Sequence, residues 1–92
     1  MKKSEAVNKA KKESILIRSD GAYGVSTVGS GWSGGLTYRQ AQRLRGDIVI
    51  NRALRHMGYP DHQIAMLPMD VYSGNFRESL DLAIDILDTM ST

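Results

Sequence analysis

The dipeptide Asp20-Gly21 constrains this chain more than any other pair of residues in it. It separates two runs that read as strands, SILIRS (14–19) and AYGVSTV (22–28). A two-residue connection between antiparallel strands favours a type I′ turn, in which both central residues take positive φ, and Asp-Gly suits that turn. The register follows. Leu16 falls opposite Val25 and Arg18 opposite Tyr23 on one face, while Ile15 and Ile17 lie over Ser26 and Gly24 on the other. A third strand around Trp32–Leu36 stays open, because that stretch shows no alternation.

The next constraint is helical. Thr37 and Gln40 have the spacing of a capping box, and Leu36 and Ala41 that of a hydrophobic staple, so a helix is predicted from Thr37 to Met57. At about 100° per residue, Ala41, Leu44 and Ile48 share one face with Arg39 and Arg43 opposite. Further on the pattern turns over: Ile50, Ala53, Leu54 and Met57 occupy the formerly basic side. The slip lies at Gly46-Asp47, where glycine weakens a helix and aspartate is a good N-cap. Either the helix breaks or bends there, or one continuous helix is covered on two sides by different elements. The second is expected, since glycine alone seldom stops a helix. Gly58 suits the position just past the helix end, and Pro60 blocks continuation. Residues 60–67 leave room for a short helical turn.

Asn75 and Glu78 resemble a second N-cap pair. Phe76, Leu80, Ala83, Ile84, Leu87 and Met90, flanked by Leu82 and Ile86, then form a broad apolar helical face, with a narrow acidic stripe opposite. Residues 1–13 contain Val7 as their only large apolar residue apart from Met1, so they are expected to form a basic mobile tail or a frayed helix. These elements predict a single α+β domain over 14–92, with a small antiparallel hairpin or three-stranded sheet packed against two main helices.

Charge is sorted by segment. Residues 1–12 carry five lysines against Glu5, and residues 37–56 carry five arginines against Asp47. Residues 78–92 hold Glu78, Asp81, Asp85 and Asp88 with no base, leaving a net charge of +2 over the 92 residues. Such sorting points to a charged partner. The chain has no cysteine, which removes disulfides and thiolate metal sites. No apolar run reaches the ~20 residues of a membrane span, and residues 1–14 lack the apolar core of a signal peptide. A cytoplasmic protein is therefore expected, in a host's cytoplasm if phage-encoded.

Two well-known patterns overlap in residues 29–35. Gly29, Gly31 and Gly34 spell G-x-G-x-x-G, but a dinucleotide site needs parallel strands joined by a crossover helix. Gly31-Trp32-Ser33-Gly34-Gly35 spells G-x-S-x-G, yet a nucleophile elbow needs a large α/β sheet with histidine and acid brought in from later loops. A chain of 92 residues has no room for that scaffold. His56, His62 and Asp61 lack a recognised metal-site spacing. Asp81, Asp85 and Asp88 lie on an outer stripe where no pocket would perturb them. A helix-turn-helix threaded with Ala41 at its small position puts Arg45 where glycine belongs and Asn51 where an apolar residue belongs. No catalysis, cofactor or metal is expected.

What survives is recognition chemistry. Trp32 stands among glycines and serines that cannot bury it, so it either folds back on the sheet or anchors a partner. Arginine is well suited to phosphate and carboxylate recognition. The expected partner-binding residues are Trp32, Arg39, Arg43, Arg52 and Arg55, although one straight helix cannot present both arginine pairs to one flat footprint.

A short cysteine-free chain with the Asp20-Gly21 hairpin, the capped helix start GGLTYRQAQRLR (34–45) and an amphipathic terminal helix resembles small phage- or prophage-encoded accessory proteins of the anti-CRISPR type. The resemblance implies a stoichiometric inhibitor that binds a host nucleoprotein complex, such as a CRISPR effector, and blocks its nucleic-acid handling. The implied partner is a protein or ribonucleoprotein complex, with contact to nucleic-acid phosphates as an accompaniment and no membrane. The resemblance covers most of the chain without a diagnostic motif, so it assigns no residue a role. The alternative is a small basic nucleic-acid-binding regulator.

Overall fold

A computed structural model describes residues 1–68 and 75–90. The elements run α1 (Lys3–Glu13), β1 (Ser14–Ser19), β2 (Ala22–Thr27), β3 (Gly31–Leu36), α2 (Tyr38–His56), α3 (Asp61–Ile64) and α4 (Phe76–Met90). The three strands form one antiparallel sheet in the order β1-β2-β3, with helices packed on it, so the chain has an α+β fold. Asp20 and Gly21 both take positive φ, 52° and 79°. The β1–β2 register pairs Leu16 with Val25, Arg18 with Tyr23, Ile15 with Ser26 and Ile17 with Gly24.

Residues 31–36 form the third strand that the sequence left open. β3 pairs Trp32 with Ser26 and Ser33 with Val25, then slips by one residue before Leu36 meets Tyr23. The extra residue makes a bulge, and Gly35 supplies the left-handed backbone there, at φ 72°.

The expectation of a mobile tail over residues 1–13 is corrected. Residues 3–13 form α1, and Ala6 and Ala10 are fully buried against Val49 and Ala53 of α2. Two alanines four residues apart let the helix axes approach closely, so the contact needs no large apolar side chain. The end of α1 is held by α2. Arg45 donates from Nε to the Ser14 carbonyl (2.8 Å) and from Nη2 to the Lys11 carbonyl (3.3 Å), serving carbonyls at the end of the helix. The buried Ser14 and Thr27 hydroxyls bond to each other at 3.2 Å where β1 and β2 meet this junction.

α2 is continuous through Gly46 for 19 residues. Its capping box forms in both directions, with Gln40 N–H donating to Thr37 Oγ1 (3.2 Å) and Thr37 N–H to Gln40 Oε1 (3.0 Å). The reversal of its apolar face has a simple cause. Arg45 and Arg52 reach toward the sheet, and helical spacing sets Leu44 and Ile48 on the same side, whereas Val49 and Ala53 meet α1, and Ile50 and Leu54 meet α3 and α4. Phe76, Val7 and Met57 bridge the two clusters. In α4, Asn75 Oδ1 accepts from Glu78 N–H at 2.9 Å, and Leu80, Ala83 and Leu87 are buried while the acidic stripe is exposed.

Candidate interaction surfaces

Strand alternation places Ile15 and Ile17 of β1, Gly24 and Ser26 of β2, and Trp32 of β3 on the sheet face turned away from the helices. Ser19 and Ala22 share that face, so it carries no charged side chain. Ile15, Ile17 and Trp32 remain 55%, 39% and 50% exposed. These are large apolar residues, and no described element covers them. Trp32 both folds back and stays open: its indole lies against Gly24 and Gly34, Gly24 is buried, and the tryptophan itself remains half exposed. A side chain at either glycine would collide with the ring. Val28, at the end of β2, is also exposed.

The structure does not bring the five expected contact residues together. Helical spacing puts Arg39 and Arg43 on the side of α2 away from the sheet, in line with Ile50 and Leu54. Both are exposed, and neither lies within ion-pair distance of a described acid. Burial pushes the nearby Asp47 carboxyl above the ordinary carboxylate range, with Arg43 pulling it back.

Arg52 and Arg55 are engaged within the molecule. Arg52 Nη1 sits 3.5 Å from Glu13 Oε2, and its Nη2 donates to the Val28 carbonyl. Arg55 pairs with Asp61 at 3.0 Å. His56 Nε2 lies 2.6 Å from Glu13 Oε1. The hydrogen bond from His56 holds the Glu13 carboxyl below its usual range, against the opposing effect of burial. Glu13 therefore gathers His56 and Arg52 at the junction of α1, α2 and the end of β2. A small cleft of about 190 Å³ opens beside them, between α2 and the Ser30–Ser33 segment.

The glycine motifs take no catalytic context. Ser33 lies inside an antiparallel strand rather than at a strand-to-helix elbow, and His56 is occupied by Glu13. Among the described residues, no three histidine or carboxylate side chains gather to hold a metal ion. No described helix is long and apolar enough to cross a membrane.

The sequence reading did not single out Ile15 and Ile17, although its register already placed them opposite the Leu16–Val25 face. It missed Glu13 for want of any local signal. In comparison with known proteins, no family model, no curated protein and no solved structure matches this chain.

Proposed function

We propose that this chain is a non-catalytic interaction protein that docks through the outer face of its sheet, with Trp32 as the anchor and Ile15 and Ile17 beside it. The observation that carries this reading is the exposure of three large apolar side chains on a face without charge. Isolated exposed apolar residues are ordinary, but a cluster around a rigidly seated tryptophan is the composition of an interface centre. Gly24 and Gly34 leave the space in which the indole is seated against the sheet, so little ordering is left to do on binding.

Three strands of about six residues, spaced about 4.8 Å apart, present roughly 300 Å². A stable interface buries about 800 Å² per partner. The sheet face alone therefore does not hold a second copy of the chain, and the partner must extend past its edges. Occupying a surface of a larger protein or ribonucleoprotein assembly meets that requirement. A stoichiometric inhibitor of a nucleoprotein, a CRISPR effector among them, is the specific form proposed. The lack of charge on the face disfavours phosphates as its ligand.

Arg39, Arg43, Lys9 and Lys12 are exposed and outside any ion pair with a described residue. They favour direct nucleic-acid binding as the second reading. A tagged pull-down from native lysate, with and without nuclease, separates the two. A nuclease-resistant protein complex that disappears with Trp32→Ser and persists with the double substitution Arg39→Glu and Arg43→Glu is the expected result. Recovery of nucleic acid alone, lost steeply with added salt, would replace it with the regulator reading.

A further inference from the structure

On the opposite side of the sheet a second surface opens, with different chemistry. A groove of about 470 Å³ runs along α2 from Tyr38 to Val49, with Phe76 of α4 also in its lining. Its apolar lining comes from Leu16, Tyr38, Val49 and Phe76. The rise of about 1.5 Å per residue between Tyr38 and Val49 makes it about 16 Å long, room for roughly three turns of a second helix.

Gly46 lines this groove, and the fold gives no reason for a glycine there. Its φ is not in the left-handed region, and a Cβ built at the position meets no atom within 4 Å. Glycine inside a helix costs about 1 kcal/mol relative to alanine. Gly24 and Gly34 are explained by the indole above them, and Gly21 by its turn. Gly46 bears a cost with no contact inside the chain to offset it. What it does is keep the wall of the groove bare, so that another backbone can come close.

The border of the groove is basic. Lys11 and Arg45 line one side. Arg39 and Arg43 are surface neighbours of Gln42 and Gly46 through their spacing of three residues along the helix. Among the described residues, Arg45 bonds to carbonyls and to no carboxylate, so its positive charge is not neutralised there. Asp47 is the single acid in this part of α2. An apolar floor within a cationic border is complementary to a segment carrying large apolar side chains flanked by carboxylates.

We propose that the groove between α2, Leu16 and Phe76 is a second docking site, and that its occupant is an acidic amphipathic segment of a protein partner. The inference does not depend on the sheet face, from which the groove is separated by the sheet itself.

The test uses the intact chain and a displayed library of random peptides long enough to span the groove. Enriched peptides are expected to combine large apolar residues with Asp or Glu. Measured by fluorescence anisotropy, their affinity should fall at least about tenfold with Gly46→Leu, which fills the groove. It should fall similarly when Arg39 and Arg43 are both replaced by glutamate, and stay unchanged with Trp32→Ser. Gly46→Ala should raise thermal stability, because its methyl group meets nothing. Circular dichroism on each variant checks that the fold is kept.

Failure to enrich peptides, enrichment of peptides without acids, or binding indifferent to Gly46→Leu overturns the proposal. Loss of stability in Gly46→Ala overturns it too, because glycine would then have a structural role. Binding lost only with Trp32→Ser would move the peptides to the sheet face. A single-stranded oligonucleotide that displaces the peptides and is itself insensitive to Gly46→Leu would assign the basic border to phosphates.

Discussion

Replacing Gly24 by alanine drives a methyl group into two obstacles of different stiffness. The new Cβ would lie 2.5 Å from Trp32 Cη2 and 2.6 Å from Cζ2, and closer still to the Ser33 backbone carbonyl. The indole can swing away by rotating about its own bonds, but the carbonyl moves only if β3 moves. At Gly34 the nearest atoms all belong to the Trp32 ring, with Cε2 and Cζ2 at 2.7 Å. Overpacking of this kind costs about 1–3 kcal/mol. The ~0.5–1 kcal/mol that alanine recovers from glycine's unfolded-state freedom offsets part of it.

Gly24→Ala is therefore expected to destabilise by roughly 1–2 kcal/mol, each kcal/mol lowering Tm by about 4–8 °C in a chain this size. Gly34→Ala should cost less, while releasing the indole and shifting its fluorescence towards that of exposed tryptophan. Trp32 is the only tryptophan, so that signal is unambiguous, and far-UV circular dichroism follows unfolding separately. In a Trp32→Ala background, Gly34→Ala should become neutral or stabilising, whereas Gly24→Ala should keep part of its cost against the Ser33 carbonyl. A Gly24→Ala protein as stable as the parent, or a Gly24→Ala cost fully abolished by Trp32→Ala, would refute this account of the sheet.

Three further outcomes follow from the packing. The folded pKa of Glu13 is lowered from 4.5, so its contribution is present above that value and is lost as pH falls through the folded value. Glu13→Gln should lower the urea midpoint at neutral pH and flatten the acid limb of the stability profile. Tyr59 donates to Asp88 Oδ1 at 2.6 Å, which pushes its phenol up to about 12 from 10.0. That contribution holds below pH 10.0 and fades as pH rises through about 12. Asp88→Asn should bring the phenolate absorbance step of this residue, assigned with Tyr59→Phe, back towards 10.0. Ala10→Leu should cost about 1–3 kcal/mol by wedging α1 off α2; an unchanged Tm would mean that residues 3–13 are not docked in solution.

The elements read correctly from sequence depend on neighbours in sequence. Asp20-Gly21 determined the turn and, through it, every β1–β2 pair. Thr37 with Gln40, and Asn75 with Glu78, start α2 and α4 through bonds three residues long. The apolar stripe of α4 needed no knowledge of what it packs against. The less legible elements are those where the usual signal is weak. α1 docks through alanines, which a search for large apolar side chains passes over. β3 sets Trp32 and Leu36 among glycines and a serine, so it shows no alternation and the third strand stayed open in the sequence.

The candidate contacts divide the same way. The hairpin register alone places Ile15 and Ile17 away from Leu16 and Val25. No sequence rule says whether a further element covers that face, or whether the one tryptophan lies on it. The arginines of α2 look equivalent along the chain, and tertiary structure sorts them. Arg45 reaches Ser14, Arg52 and His56 reach Glu13, and Arg55 reaches Asp61, leaving Arg39 and Arg43 outside any such pair. Glu13 and His56 are 43 residues apart, and Arg45 and Ser14 are 31. Sequence determined the turns, caps and stripes, because those are settled within one helical turn or one strand pair. Which charges pair inside the fold and which stay outside any ion pair was decided only when distant segments were packed together.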